Sequence, residues 1–264
     1  MRLRSYALRT AAIALTLGAL GFVAYELIES PSNQIFGRTL TQGPADQRLV
    51  ALTYDDGPNP PYTLRILKVL ESERVPATFF LVGRAVQSYP AVVRQELHDG
   101  DAIGNHTWDH THLIMMTRLQ IRSSLDRTSA AIYAATGEHT KLMRPPFGSR
   151  DWLVMQVAHK MGYTVVMWSV PLARDWEYPS AHTIAQRIVP QVKDGSIVVL
   201  HDGNRGLLCA RYRLSARVCD RSADIGATTL IVRALKRQGF RFVTIPQLIA
   251  ASKGATHTPV PGVE

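Results

Sequence analysis

The chain has 264 residues, 46% of them hydrophobic and 19% charged, with a formal net charge of +9 and a pI near 9.8. That balance is globular and suits one domain or a small pair; it excludes a wholly disordered chain, a coiled coil and a multi-span membrane protein. Two cysteines are too few for a disulfide-dense miniprotein. A basic chain invites a nucleic-acid partner, but no helix-turn-helix, zinc finger or aromatic RNA platform is evident.

The N-terminus reads as a targeting segment. Arg2, Arg4 and Arg9 precede the uncharged stretch Thr10–Tyr25, which Glu26 ends. A basic start followed by a short apolar run predicts a signal peptide or membrane anchor over residues 1–28, and therefore an exported protein. Ala19-Leu20-Gly21 offers a small-x-small cleavage candidate. The chain beyond residue 30 stays basic, so the charge belongs to the exported part. Residues 29–47 are polar and hold Pro31, Gly37, Gly43 and Pro44, which predicts a linker. A folded domain is expected over 48–252, with a flexible tail over 253–264.

Between these ends, short apolar runs alternate with helical patterns. Strands are predicted at Leu49–Tyr54, Ala77–Val82, Ala102–Gly104, Lys141–Met143, Thr164–Ser169, Ser196–Leu200 and Arg241–Ile245. Helices are predicted at Thr63–Glu73, Val92–Asp99, Arg118–Thr136, Asp151–Met161 and Ala227–Gln238, most followed closely by a glycine stop. Strand–helix alternation predicts α/β architecture with a parallel sheet, either open or closed into a barrel.

Polar residues capable of chemistry cluster where predicted strands stop. Asp55 and Asp56 follow the first strand, His106 and His110 the third, Arg144 the fourth and His201 the sixth, while Asp175 lies beyond the fifth. In parallel α/β folds the C-terminal strand ends converge on one face, so residues distant in sequence meet there. Asp55-Asp56-Gly57-Pro58 places two acids that repel unless a cation or an Arg neutralises them. His106 and His110, at i and i+4, would share one face of a helical turn. With Asp56 they make a His–His–Asp set that suits zinc with an open position for water. Arg144 is placed to pair with a carboxylate, and His201 is a candidate general acid or base. His112 is read as a surface residue.

Together these motifs resemble the polysaccharide deacetylase family, or NodB-homology domain, from Leu49 to about Ile249. Thr53 to Pro58 matches its first motif, and His106 to His110 its His-(Ser/Thr)-x-x-His motif. Arg144 to Gly148 resembles Arg-Pro-Pro-Tyr-Gly, with Phe147 for the usual Tyr. Asp175-Trp176 resembles the Asp-Trp motif, and Val199-Leu200-His201-Asp202 the Leu-x-His motif, with Val199 for a common Leu. Pro171 stands where the family usually has Asp, and the segment before Asp175 is about one residue longer.

The resemblance implies a distorted (β/α) barrel of about seven parallel strands in one catalytic domain. It implies metal-dependent removal of N-acetyl groups from an N-acetylglucosamine-containing polysaccharide such as peptidoglycan or chitin; O-acetyl ester or non-sugar amide hydrolysis is the alternative. Asp56, His106 and His110 would hold one divalent metal, Zn before Co, Ni or Mn. Asp55 would be the base, oriented by Arg144, and His201 the acid, tuned by Asp175. The backbone near Phe147 would stabilise the oxyanion, and Trp176 and Leu200 would line the acetyl pocket. The partners expected are an N-acetylated glycan, no nucleic acid, and a membrane if the N-terminal segment is uncleaved; the protein is expected to be a monomer, extracellular, periplasmic or anchored facing outward. Export also favours a Cys209–Cys219 disulfide beside His201, worth about 3 kcal/mol in the chain-entropy view.

Overall fold

The computed structural model describes residues 15–18, 21–23, 26, 28, 30–170, 173–207, 215 and 219–255. Most of the predicted signal or anchor lies outside the described residues, as do Pro171, Cys209 and the tail beyond Ala255. Among the described residues, no helix is long and apolar enough to cross a membrane.

Among the described residues, seven parallel strands form one sheet: β1 (Leu49–Asp55), β2 (Thr78–Leu81), β3 (Ala102–Asn105), β4 (Leu142–Met143), β5 (Thr164–Val165), β6 (Ser196–His201) and β7 (Arg241–Phe242). Their order is β5-β4-β3-β2-β1-β6, with β7 also on β1. β1 is buried along its whole length and sits centrally, paired with β2, β6 and the short β7. The β1–β6 register sets Asp55 opposite His201.

Two predicted strands are cut short for identifiable reasons. The stretch Thr164–Ser169 pairs regularly only at Thr164–Val165. Beyond that it leaves β4 and turns toward β6: Val170 bridges Val198, and the Ser169 N–H donates to the Ile197 carbonyl at 3.0 Å. This draws the β5 edge toward β6 and curls the sheet into a distorted (β/α) barrel. The stretch Arg241–Ile245 stops at Phe242 because Thr244 caps a helix, its N–H donating to Gln247 Oε1 and its hydroxyl accepting from the Gln247 N–H.

Around the sheet, among the described residues, stand α1 (Tyr62–Glu73), α2 (Gly83–Ser88), α3 (Pro90–His98), α4 (Arg118–Thr136), α5 (Trp152–Lys160), α6 (Ala181–Ile188), α7 (Ser222–Arg237) and α8 (Ile245–Ala255). α4 has the predicted bounds, because Thr117 and Gln120 form a capping box and Gly137 ends it at φ 76°.

Strand alternation divides the core. Leu52 and Tyr54 of β1, Phe79 and Leu81 of β2, and Val198 and Leu200 of β6 face outward into a cluster with Ile66, Leu70, Ile231 and Leu235 of α1 and α7. Ala51, Phe80 and Ile197 face inward with Leu142, Val166 and Ile245. The inward faces of β1 and β6 end at Asp55 and His201, so the barrel interior leads to the polar mouth.

Residues 30–47, expected as a linker, lie stitched to the domain. Leu40 forms a parallel bridge with Val166 and Gln42 an antiparallel one with Ser196. The Gly43 N–H donates to the Gly195 carbonyl at 2.8 Å, and a Cβ on Gly43 would collide with Leu248.

Candidate active site

At the C-terminal strand ends a cavity of about 920 Å3 opens, lined by Asp55, Asp56, His106, His110, Phe147 and His201 among others. Strand alternation would send adjacent residues to opposite faces. Asp56 escapes this with φ 78°, so both acids line the same cavity. Each is 4% exposed.

Asp55 is held by Arg144, which is fully buried and donates to Asp55 Oδ1 at 2.7 Å. The same guanidinium donates to Thr53 Oγ1 and to the carbonyls of Val166 and Met167, and it lies 4.1 Å over the Phe80 ring. Burial lowers the Arg144 pKa against the opposing pull of Asp55. The predicted Arg–Asp pairing is therefore present.

His106 and His110 both reach Asp56 Oδ1 through Nε2, at 3.5 and 3.0 Å. They do not lie on a helical turn as expected. The chain after β3 is a loop in which Thr107 (φ 69°) and His110 (φ 57°) take left-handed backbone angles, and that curl brings the two rings together. One donor atom from each of Asp56, His106 and His110 lies within 4.8 Å of the others. His106 Nδ1 bonds the Arg144 carbonyl at 2.8 Å, which leaves Nε2 to face the site. Burial would raise the Asp56 pKa, but His110 and His106 outweigh it and lower it well below the ordinary range. Burial lowers the His110 pKa, favouring the neutral imidazole that a metal requires. An ionised carboxylate and two imidazole nitrogens in this arrangement fit a divalent cation such as zinc.

Across the cavity, His201 ends β6, and its Nδ1 lies 2.8 Å from Asp175 Oδ2 and 3.0 Å from Oδ1. The longer approach to Asp175 in the sequence does not prevent contact. Burial would lower the His201 pKa, but Asp175, with help from Asp56 and Asp55, raises it to about 9. Asp224 of α7 hydrogen-bonds Asp175, and burial beside that carboxylate raises the Asp224 pKa well above normal.

Phe147 sits in a tight turn at φ 60° and lines the cavity, packing edge-on to His110 and stacking on His112 at 3.8 Å. His112, read as a surface residue, is half-buried and backs the Phe147 ring. Trp176 is half exposed, lines the cavity and meets the His201 ring edge-on. Leu200 is a correction: it is fully buried in the outward core cluster and does not reach the cavity. Val199, one residue earlier, faces inward with His201 and lines the cavity instead. The period-two rule applied to His201 would have selected it. Trp168, Tyr178, Asn204 and Arg205 also line the cavity. Arg205 was not singled out in the sequence; its N–H donates to Asp56 Oδ2 at 2.6 Å and its guanidinium lies over Phe147.

This fold and site define a class. A polysaccharide deacetylase family model matches residues 42–166. A peptidoglycan-N-acetylglucosamine deacetylase of Bacillus cereus is 34% identical over 207 residues, 78% of this chain and 90% of the relative. A chitooligosaccharide deacetylase of a Bradyrhizobium species is 34% identical over 202 residues, 76% of this chain and 90% of the relative. Among solved structures, a peptidoglycan N-acetylglucosamine deacetylase superposes with a TM-score of 0.72 at 31% identity, over 81% of this chain and 94% of that one. A Bacillus anthracis pseudoenzyme of carbohydrate esterase family 4 superposes at 0.71 with 26% identity, over 81% and 69%. The chain belongs to the polysaccharide deacetylase family.

Proposed function

We propose that this protein is a metal-dependent hydrolase that removes N-acetyl groups from N-acetylglucosamine units of a peptidoglycan or chitin-like glycan. The observation that carries this is the pair of buried acid–base couples, Asp55–Arg144 and His201–Asp175, lining one cavity around the Asp56–His106–His110 triad. The intact set separates the chain from a binding module without turnover, and relatives named for N-deacetylation favour the amide over an ester.

Asp56, His106 and His110 would hold the metal, with zinc preferred over Co, Ni or Mn for the two-imidazole, one-carboxylate donor set. Such an ion supplies Lewis acidity toward the acetyl carbonyl and makes a water more acidic. Asp55 takes the proton of the attacking water, and Arg144 holds that carboxylate in place. The backbone N–H at Phe147 donates to the carbonyl oxygen as it gains charge, a contact that needs no Tyr hydroxyl. His201 gives a proton to the departing sugar nitrogen, while Asp175 holds Nδ1 and fixes the ring. Trp176 and Val199 flank the acetyl methyl.

The reading extends to the whole chain. Residues 1–28 act as a signal or anchor, the domain works outside the cytoplasm as a monomer, and Cys209 pairs with Cys219. The basic, apolar N-terminal pattern supports export, and export supports the disulfide. Cys219 is buried, while Cys209 lies outside the described residues. The test is product analysis: metal-stripped protein is reloaded with zinc, and acetate release is measured on peptidoglycan, N-acetylglucosamine oligomers and acetylated xylan. Acetate from the first two is expected. Acetate from xylan alone would overturn the amide assignment.

A further inference from the structure

Arg150 has an unusual environment for a cation. It is 1% exposed, and its guanidinium is met by backbone carbonyls: Gly148 at 2.9 Å, Ser30 at 2.8 Å, Pro31 at 3.3 Å and Asn33 at 2.6 Å. Its own N–H donates to the Ile28 carbonyl at 3.2 Å. No carboxylate pairs with it among the described residues. Burial pulls its pKa down to about 10. A buried cation is costly unless its donors are satisfied, and three of these four acceptors come from the segment that precedes the domain. If that segment swung free, Arg150 would lose most of its partners.

The fastened segment also borders the active-site cavity. Glu26, Ser30 and Pro31 line it together with Asp55, His106 and His201. Gly148, the fourth carbonyl partner, lines it too and adjoins Phe147. One guanidinium therefore ties the turn proposed to face the oxyanion to the segment that follows the apolar N-terminal run.

We propose that Glu26, Ser30 and Pro31 form a substrate-contacting wall of the glycan site, with Arg150 as the positioning residue that fastens it. This rests on the glycan reading of the cavity. The wall is a subsite for sugar units flanking the acetylated one: Glu26 and Ser30 offer hydrogen-bonding groups for hydroxyls, and Pro31 offers an apolar face. It would make long oligomers better substrates than short ones.

The experiment uses the full-length protein in detergent, loaded with zinc. It compares wild type, the triple variant Glu26→Ala/Ser30→Ala/Pro31→Ala, Arg150→Ala and Arg150→Lys. The triple variant keeps the backbone carbonyls that Arg150 needs. The readouts are KM and kcat for acetate release from N-acetylglucosamine dimers and pentamers, Kd for the pentamer by calorimetry, and Tm. The triple variant is expected to raise KM and Kd for the pentamer about fivefold, leaving kcat, dimer KM and Tm near wild type. Arg150→Ala is expected to raise pentamer KM at least as much and to lower Tm; Arg150→Lys, which lacks the fork needed for several carbonyls, falls between. Unchanged pentamer KM and Kd in the triple variant would overturn the wall, even if Arg150→Ala fails to fold. If wild type binds the pentamer but releases no acetate, the deacetylase reading fails and Kd alone judges the wall. If it neither binds nor turns over, both fail.

Discussion

At the residue scale, the proposed mechanism gives opposite jobs to two side-chain pairs, Asp55–Arg144 and His201–Asp175. In that mechanism Asp55 is the base and His201 the acid; Arg144 aims the first through its 2.7 Å contact, and Asp175 raises the pKa of the second. Asp55→Asn and His201→Ala are each expected to cost at least about a hundredfold in kcat, with metal content per chain near wild type. Normal turnover in either would remove its assigned role. With His201 raised to about 9, its acid form persists through neutral pH, and activity should fall as pH climbs through about 9. Asp175→Asn removes the main raising influence, so this basic limb should move to lower pH; a pH–kcat profile checks it. Asp55, Asp56, His106, Arg144 and His201 were legible because each sits at, or just after, the end of a recognisable strand. Leu200 and Val199 show where that legibility stopped, since the residue adjoining His201 was chosen, although both the Leu-x-His spacing and side-chain direction select Val199. The two now separate experimentally. Leu200→Ala should cost about 3 kcal/mol of stability by opening a core cavity. Val199→Ala, at a site 5% exposed, should cost less, about 1–2 kcal/mol, and alter the kinetics on acetylated oligomers.

At the element scale, the long helices and the buried strands were readable from periodicity and caps, α4 most fully. What escaped were features set by partners distant in sequence. β5 stops where its continuation is drawn toward β6, and β7 stops where Thr244 begins a cap. α2 and α6 are too short for their periodicity to stand out, though Ser180 caps α6 through the Thr183 N–H at 3.1 Å. One connector carries a testable charge. Asp101, between α3 and β3, is 7% exposed and accepts the Ala77 N–H at 2.7 Å. Burial raises its pKa from 3.8 to about 7 despite that hydrogen bond. The folded state therefore holds a proton that the unfolded state has lost, and stability falls as pH rises from about 4 through about 7. Asp101→Asn keeps an acceptor for Ala77 and removes the titration. Urea unfolding at pH 5 and pH 8 should show a smaller loss in this variant, by at most about 2.7 kcal/mol, the two pH units between 5 and about 7. An unchanged difference between the two pH values would refute the assignment.

At the scale of the whole molecule, the reading of 29–47 as a linker reveals a limit of composition. Polar residues with Pro and Gly look like free chain, yet the acceptors that bind this segment to Arg150 are backbone carbonyls, which every sequence carries. The cavity face works the other way, because its cohesion depends on identifiable side chains. Asp56 comes from the loop after β1, His106 and His110 from the loop after β3, and Asp56 Oδ2 takes an N–H from Arg205 in the loop after β6. A metal on the triad would bind the folded arrangement and not the unfolded chain, so its affinity adds to stability. Free zinc at a hundred times Kd would contribute about 2.7 kcal/mol. For a domain of this size that raises Tm by about 5–10 °C. Chelation of the wild type should remove that increment, and added zinc should restore it. His106→Ala should show neither change, because its triad has lost a ligand, and its metal content per chain should fall. A chelator that leaves the wild-type Tm unmoved, or lowers that of His106→Ala equally, would show that these three residues do not hold the ion.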